Sequence, residues 1–127
     1  MSDFKTLLAV GDLASRKMST VSATESVREG ARKMAAEKTG SLLVVDAGGK
    51  LVGIVTEQDM VCRVVAADLD ASPPVREIMT PDPLKISHDE SIFEAKKMML
   101  ERNVHHLIVV KDDKPLGILT SQSVMGG

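Results

Sequence analysis

The chain has little that can be cross-linked, stacked or threaded through a bilayer. Of its 127 residues one is cysteine, none is tryptophan or tyrosine, and two are phenylalanine, Phe4 and Phe93. A single Cys62 excludes an internal disulfide, and with no signal-like segment it fits a reducing, cytoplasmic setting. Set in the run Asp59-Met60-Val61-Cys62-Arg63-Val64-Val65, it is expected to be a buried structural thiol that packs as a small hydrophobe. No Cys or His pair has metal-ligand spacing, so no metal is expected. Two aromatic rings cannot make a platform for bases, and a net charge of -2 creates no basic field. Both absences count against nucleic acid as a partner. The cations Lys96, Lys97, Arg102, Lys111 and Lys114 of the C-terminal half are among several there and are interleaved with Glu94, Glu101, Asp112 and Asp113, the pattern of a solvated face. Apolar runs reach four or five residues, against the roughly 20 that cross a bilayer, which excludes a membrane partner. No nucleophile stands at an interpretable distance from a base, and no acids are paired, so neither a catalytic residue nor a catalytic cofactor is expected.

What the chain does have is the same text twice. Ser22-Ala23-Thr24-Glu25-Ser26-Val27-Arg28-Glu29 lies over Ser87-His88-Asp89-Glu90-Ser91-Ile92-Phe93-Glu94, and Met34 over Met99. Leu42-Leu43-Val44-Val45 matches Leu107-Ile108-Val109-Val110; after a one-residue difference in the turn, Val52-Gly53-Ile54-Val55-Thr56 matches Leu116-Gly117-Ile118-Leu119-Thr120. At 43% hydrophobic the chain amounts to one domain, too small for two independent cores. The repeats, divided at 1–72 and 73–127, are therefore expected to fold together and to leave two related clefts at the seam.

Each copy opens with a short extended stretch, Met18 to Val21 and Leu84 to Ile86. A helix start follows, where Ser26…Glu29 and Ser91…Glu94 have capping-box spacing. Val27, Ala31, Met34 and Ala35, and correspondingly Ile92, Ala95 and Met99, recur at helical spacing and predict a core-facing stripe in which the methionines are filler. Two β-rich runs come next, Leu42 to Val45 and Leu51 to Val55, joined by Ala47-Gly48-Gly49, whose glycines allow positive φ. Asp112-Asp113-Lys114-Pro115 does the same work in the second copy. Thr56 is then an N-cap with Asp59 at the third position of a helix predicted to run to about Leu69, and Asp70-Ala71-Ser72-Pro73-Pro74 is a linker. The fold class is α/β (α+β), two β-α-β-β-α units. In the second copy the text stops one turn past the matching point, leaving an apolar face for the N-terminal stretch Phe4 to Val10 or another subunit to cover.

Three segments can carry chemistry. The strand-to-helix run Gly53 to Asp59 offers amide N–H groups to a phosphate, while the two acceptor oxygens of Asp59 suit vicinal hydroxyls such as a ribose diol. Thr56 and Asp59 can equally be a local cap and nothing more. In the second copy Ser123 stands in place of the Asp and lacks its charge, so the two clefts should be unequal. Asn103-Val104-His105-His106 enters an apolar strand, where alternation lets at most one His face a given cleft and offer a donor to phosphate. Ile78-Met79-Thr80-Pro81-Asp82-Pro83 is held extended by its prolines, with carbonyls and the Thr80 hydroxyl free for other partners.

The repeat order, the Val75-Arg76-Glu77-Ile78-Met79-Thr80-Pro81 segment, the Gly53 to Asp59 run and the strand at 42–46 together resemble a tandem pair of CBS domains, named after cystathionine β-synthase. The resemblance covers nearly the whole chain. It implies a Bateman module, two units packed through their sheets, that binds an adenosine compound (AMP, ADP, ATP or S-adenosylmethionine) as a regulatory ligand and forms a homodimer. Carried over residue by residue, one cleft combines Ile54, Thr56, Asp59, Thr80 and Pro81 with Val104, His105 and His106. Asp59 would hold the ribose and Thr56 or a His the phosphate, with adenine between Ile54 and Val104. The weaker cleft pairs Thr120 and Ser123 with Ser15, Thr39, Gly40 and Ser41. On this reading the module signals to a separately encoded enzyme or transporter; the rival is a dimerising scaffold with vestigial clefts.

Overall fold

The structure is a computed structural model that describes residues 8–125. It confirms the mixed α/β class and divides the chain into two compact units that do not follow chain order. One unit is Ser19–Pro83; among the described residues the other joins 8–18 to 84–125. Division at 72/73 follows the repeats in sequence, whereas in space each repeat's opening segment belongs with the body of the other repeat.

In the Ser19–Pro83 unit, β1 (Thr20–Ser22), α2 (Val27–Glu37), β2 (Ser41–Val45) and β3 (Leu51–Thr56) are followed by a helix and by β4 (Thr80–Pro81), in a sheet of order β1-β2-β3-β4. The first helix among the described residues, α1 (Val10–Leu13), belongs to the other unit. Strands β1 and β2 are parallel, so the chain must cross over, and α2 is the crossover. Ser26 accepts from the Glu29 amide at 3.1 Å and caps α2. Only half of the expected box forms: Glu29 pairs with Arg32, and the Ser26 amide donates to Glu25 Oε1. The helix ends at Lys38 in the left-handed region, φ 53. Buried on it are Val27, Gly30 and Met34; Ala31 and Ala35, expected inside, face solvent. A Cβ on Gly30 would lie 3.1 Å from Val75 Cγ1, so the glycine lets the opening segment of the second repeat approach the helix.

The other unit repeats this plan with β5 (Lys85–Ser87), α4 (Ile92–Arg102), β6 (His106–Lys111), β7 (Lys114–Thr120) and α5 (Ser121–Met125), in a sheet of order β5-β6-β7. Ser91 caps α4 through the Glu94 amide at 3.1 Å, and Asn103 ends it at φ 52. The β6–β7 turn places Asp112 and Asp113 at φ 51 and 66, the two left-handed residues that a tight two-residue hairpin requires.

The exchanged segments dock in the same way. Val75 donates to Glu25 O at 2.7 Å and Val10 to Glu90 O at 2.9 Å; Arg76 donates to Ala23 O and Gly11 to His88 O. Val75 and Ile78 complete the core of Val27, Met34, Leu42, Val44 and Val55. Val10 completes that of Ile86, Met99, Leu107, Leu119 and Val124. Each fully buried Val or Leu contributes about 1.5–3 kcal/mol. Val10, from the stretch proposed to cover the second copy, thus shares one core with Val124; residues 4–7 lie outside the described residues.

Two expectations for the helix after β3 are corrected. It is one turn of α-helix, α3 (Glu57–Asp59), that continues as a π-helix through Met60–Val65, with Ala66 donating to Val61 O at 2.8 Å. On this wider helix Cys62 is exposed, not buried. Val64 alone of Met60–Val65 is buried, and Val61 and Val65 face out with the thiol, because an isolated apolar run does not say which of its residues the core will take.

Candidate functional site

Where β3 meets α3, Thr56 and Asp59 form a reciprocal corner. The Thr56 amide donates to Asp59 Oδ2 at 2.8 Å and its hydroxyl to the same oxygen at 3.1 Å, while the Asp59 amide donates to Thr56 Oγ1 at 3.3 Å. This is the local cap, with Thr56 at N-cap and Asp59 at the third position. Both bonds that the carboxylate accepts fall on one oxygen. The other, Oδ1, faces Arg63 Nε at 3.5 Å, beyond the roughly 2.7–2.9 Å of a direct charge-assisted hydrogen bond. Asp59 is only 8% exposed.

β4 lies beside this corner. Thr80 pairs with Ile54 and Pro81 with Gly53, an approach that requires the glycine: a Cβ there would clash with Met79 Sδ and stand 3.0 Å from Thr80 O. Ile54, Thr56, Asp59, Thr80 and Pro81 thus lie in one unit, on adjoining strands and the helix start; Thr80 and Pro81 are exposed, whereas Ile54 is buried.

Val104, His105 and His106 belong to the other unit. The expectation that the two histidines alternate along one strand is corrected: β6 begins at His106, opposite Thr120, and His105 sits in the bend before it. The His105 ring is exposed, with Nδ1 3.3 Å from Ser121 Oγ, and its carbonyl accepts from the Ser121 amide at 2.9 Å.

The corner has a counterpart in that unit. Thr120 donates to Ser123 Oγ through its amide at 3.2 Å and its hydroxyl at 3.1 Å, and the Ser123 amide donates to Thr120 Oγ1 at 3.1 Å. Ser123 Oγ then donates its own proton to Thr120 O at 2.8 Å. Ser15 bridges to Ile118 as Thr80 does to Ile54. Of the remaining residues expected in this cleft, Thr39, Gly40 and Ser41 lie in the Ser19–Pro83 unit. There the Thr39 hydroxyl donates to Ser41 O at 3.2 Å and Gly40 O accepts from the Glu57 amide at 3.0 Å.

Arg63 was not singled out from the sequence. Its signal was available in the i, i+4 spacing from Asp59; what the spacing does not supply is its hydrogen bond, Nη1 to Ile78 O at 3.3 Å. Among the described residues no group of three His, Cys, Asp or Glu is arranged to hold a metal, and no helix is long and apolar enough to cross a membrane. The corner presents a carboxylate, a hydroxyl and an apolar strand face.

Comparison with known proteins agrees with this architecture. The CBS domain profile matches residues 10–66 and 75–126, and the chain belongs to that family. It is 32% identical over 120 residues to an uncharacterized protein of Methanopyrus kandleri, covering 93% of this chain and 61% of that one, and 32% identical over 112 residues to YlbB of Bacillus subtilis, covering 87% and 76%. The chain thus spans about three-fifths of the Methanopyrus relative. A crystal structure of a conserved protein from Pyrococcus horikoshii superposes with a TM-score of 0.88 at 26% identity, over 95% of this chain and 92% of that one. Two CBS proteins of the same fold were solved with adenosine compounds. CBSX2 holds AMP (TM-score 0.75, 27% identity, 93% of each chain), and the CBS domain pair of MJ0100 holds 5′-methylthioadenosine and S-adenosyl-L-methionine (0.81, 28%, 93% of each).

Proposed function

We propose that this chain is a regulatory module that senses an adenosine compound, with Asp59 taking the ribose hydroxyls. The observation that carries the reading is the comparison of the two corners. Ser123 builds the same cap with a hydroxyl, so the cap does not require a carboxylate; Asp59 supplies the cap with Oδ2 and keeps Oδ1 over. A carboxylate oxygen with lone pairs left over, beside exposed Thr80 on β4, is suited to a diol. The CBS proteins solved with AMP, or with S-adenosylmethionine and methylthioadenosine, support the ligand class. The ligand acts by binding two states of the module, or of a homodimer, unequally; an enzyme or transporter on another chain receives the signal, and no catalysis is assigned.

Titration calorimetry with AMP, ATP and S-adenosylmethionine tests this. At least one should bind with micromolar affinity, and Asp59→Ser, which keeps the cap, should abolish most of the heat. The competing reading, a dimerising scaffold, is favoured by the exposure of Val65, Phe93 and Leu100, each 74%. Silence with all three ligands, together with a dimer in sedimentation equilibrium, would establish it instead.

A further inference from the structure

We infer that Arg63 is a positioning residue for the proposed ligand, a counter-charge held beside Asp59 that leaves its second carboxylate oxygen open. The inference rests on the adenosine reading above and names a residue of that site. A carboxylate as enclosed as Asp59, with 11% of its side chain exposed, is costly to hold charged without a compensating cation. Arg63 supplies one, yet its Nε stands off at 3.5 Å from Oδ1. The reason is the other end of the guanidinium, where Nη1 donates to the carbonyl of Ile78 at 3.3 Å. Ile78 is buried in the core two residues before Thr80, so the carbonyl that Arg63 meets belongs to a residue anchored by packing. Arg63 is thereby held close enough to offset the charge of Asp59 and too far to occupy the oxygen that two hydroxyls would need. Its side chain is 52% exposed, so it is not needed to fill the core.

The experiment is calorimetry of AMP and 2′,3′-dideoxy-AMP, which lacks both ribose hydroxyls, on wild type, Arg63→Met, Arg63→Gln and Arg63→Lys. Wild type should prefer AMP by about tenfold or more, the value of charge-assisted hydrogen bonds to a diol. In Arg63→Met and Arg63→Gln that preference should collapse towards unity, with dideoxy-AMP affinity changed by less than about twofold; Arg63→Lys, which restores a cation, should recover most of it. Equal loss for both ligands, or an unchanged AMP preference in Met and Gln variants that fold, would overturn the role of Arg63 while leaving the adenosine reading intact. If wild type binds AMP and dideoxy-AMP alike, or neither, the diol assignment itself fails and takes this inference with it.

Discussion

Two corners of the same fold, one ending in Asp59 and the other in Ser123, make the same local structure from different chemistry. In both, a threonine amide and hydroxyl donate to one side-chain oxygen three residues on, and that residue's amide donates back. Ser123 has then used its only oxygen, even its proton going to Thr120 O, whereas Asp59 has a second oxygen and a nearby cation. Conserving a cap and conserving a binding group are separate matters, and the repeat lets them be separated within one molecule.

The sharpest way to break the comparison is at the glycines that let the opening segments approach. A Cβ on Gly117 would lie 2.5 Å from Ser15 O, a backbone atom, while at Gly53 the closest obstacle is the thioether end of Met79. Gly117→Ala should therefore cost about 2–3 kcal/mol in urea unfolding and Gly53→Ala about 1, since the Met79 side chain can turn and the nearest carbonyl at Gly53, Thr80 O at 3.0 Å, is less crowded than Ser15 O is at Gly117. Equal costs would mean that the two dockings yield alike.

Next comes Asp59→Ser, which converts the first corner into a copy of the second. Nucleotide affinity should fall roughly 10- to 100-fold, the value of hydrogen bonds to a charged acceptor, while stability changes by less than about 1 kcal/mol because the cap survives. A stability loss matching the affinity loss would show the carboxylate to be structural. The reverse exchange, Ser123→Asp, should give a smaller effect. The residue that corresponds to Arg63 in the second copy is Gly127, so the new carboxylate gains no cation from that position, and calorimetry should detect no more than a weak second site. A full-strength second site would argue against the need for Arg63. The smallest effect is at Cys62. Being exposed, it should react with a thiol reagent in the native protein, and Cys62→Ser should alter stability by no more than about 0.5 kcal/mol.

Much was legible where the signal is local. The serine caps of α2 and α4, the Thr56–Asp59 corner and the glycine turn, with Gly49 at φ 84, depend on residues within a few positions of one another, and side-chain chemistry at fixed spacing is enough to read them. The helix stripe was read only in part. Ala31 and Ala35 have the right spacing for burial, yet Gly30 holds the inner position because Val75 packs there. The π-helix and exposed Cys62 were missed for a similar reason: in Met60–Val65 nearly every residue is apolar, and an all-apolar run carries no phase.

The sequence by itself determined that there are two copies, that each is a strand-helix-strand-strand unit, and that one corner is charged and the other is not; these are properties of spacing and residue type. Only the tertiary structure decided that residues 8–18 pack on the second repeat's body and 73–83 on the first's, and that Arg63 meets Ile78. Such pairings join residues far apart in the chain, and what selects them is the apolar surface left uncovered when each body folds, a quantity that does not exist until the fold does.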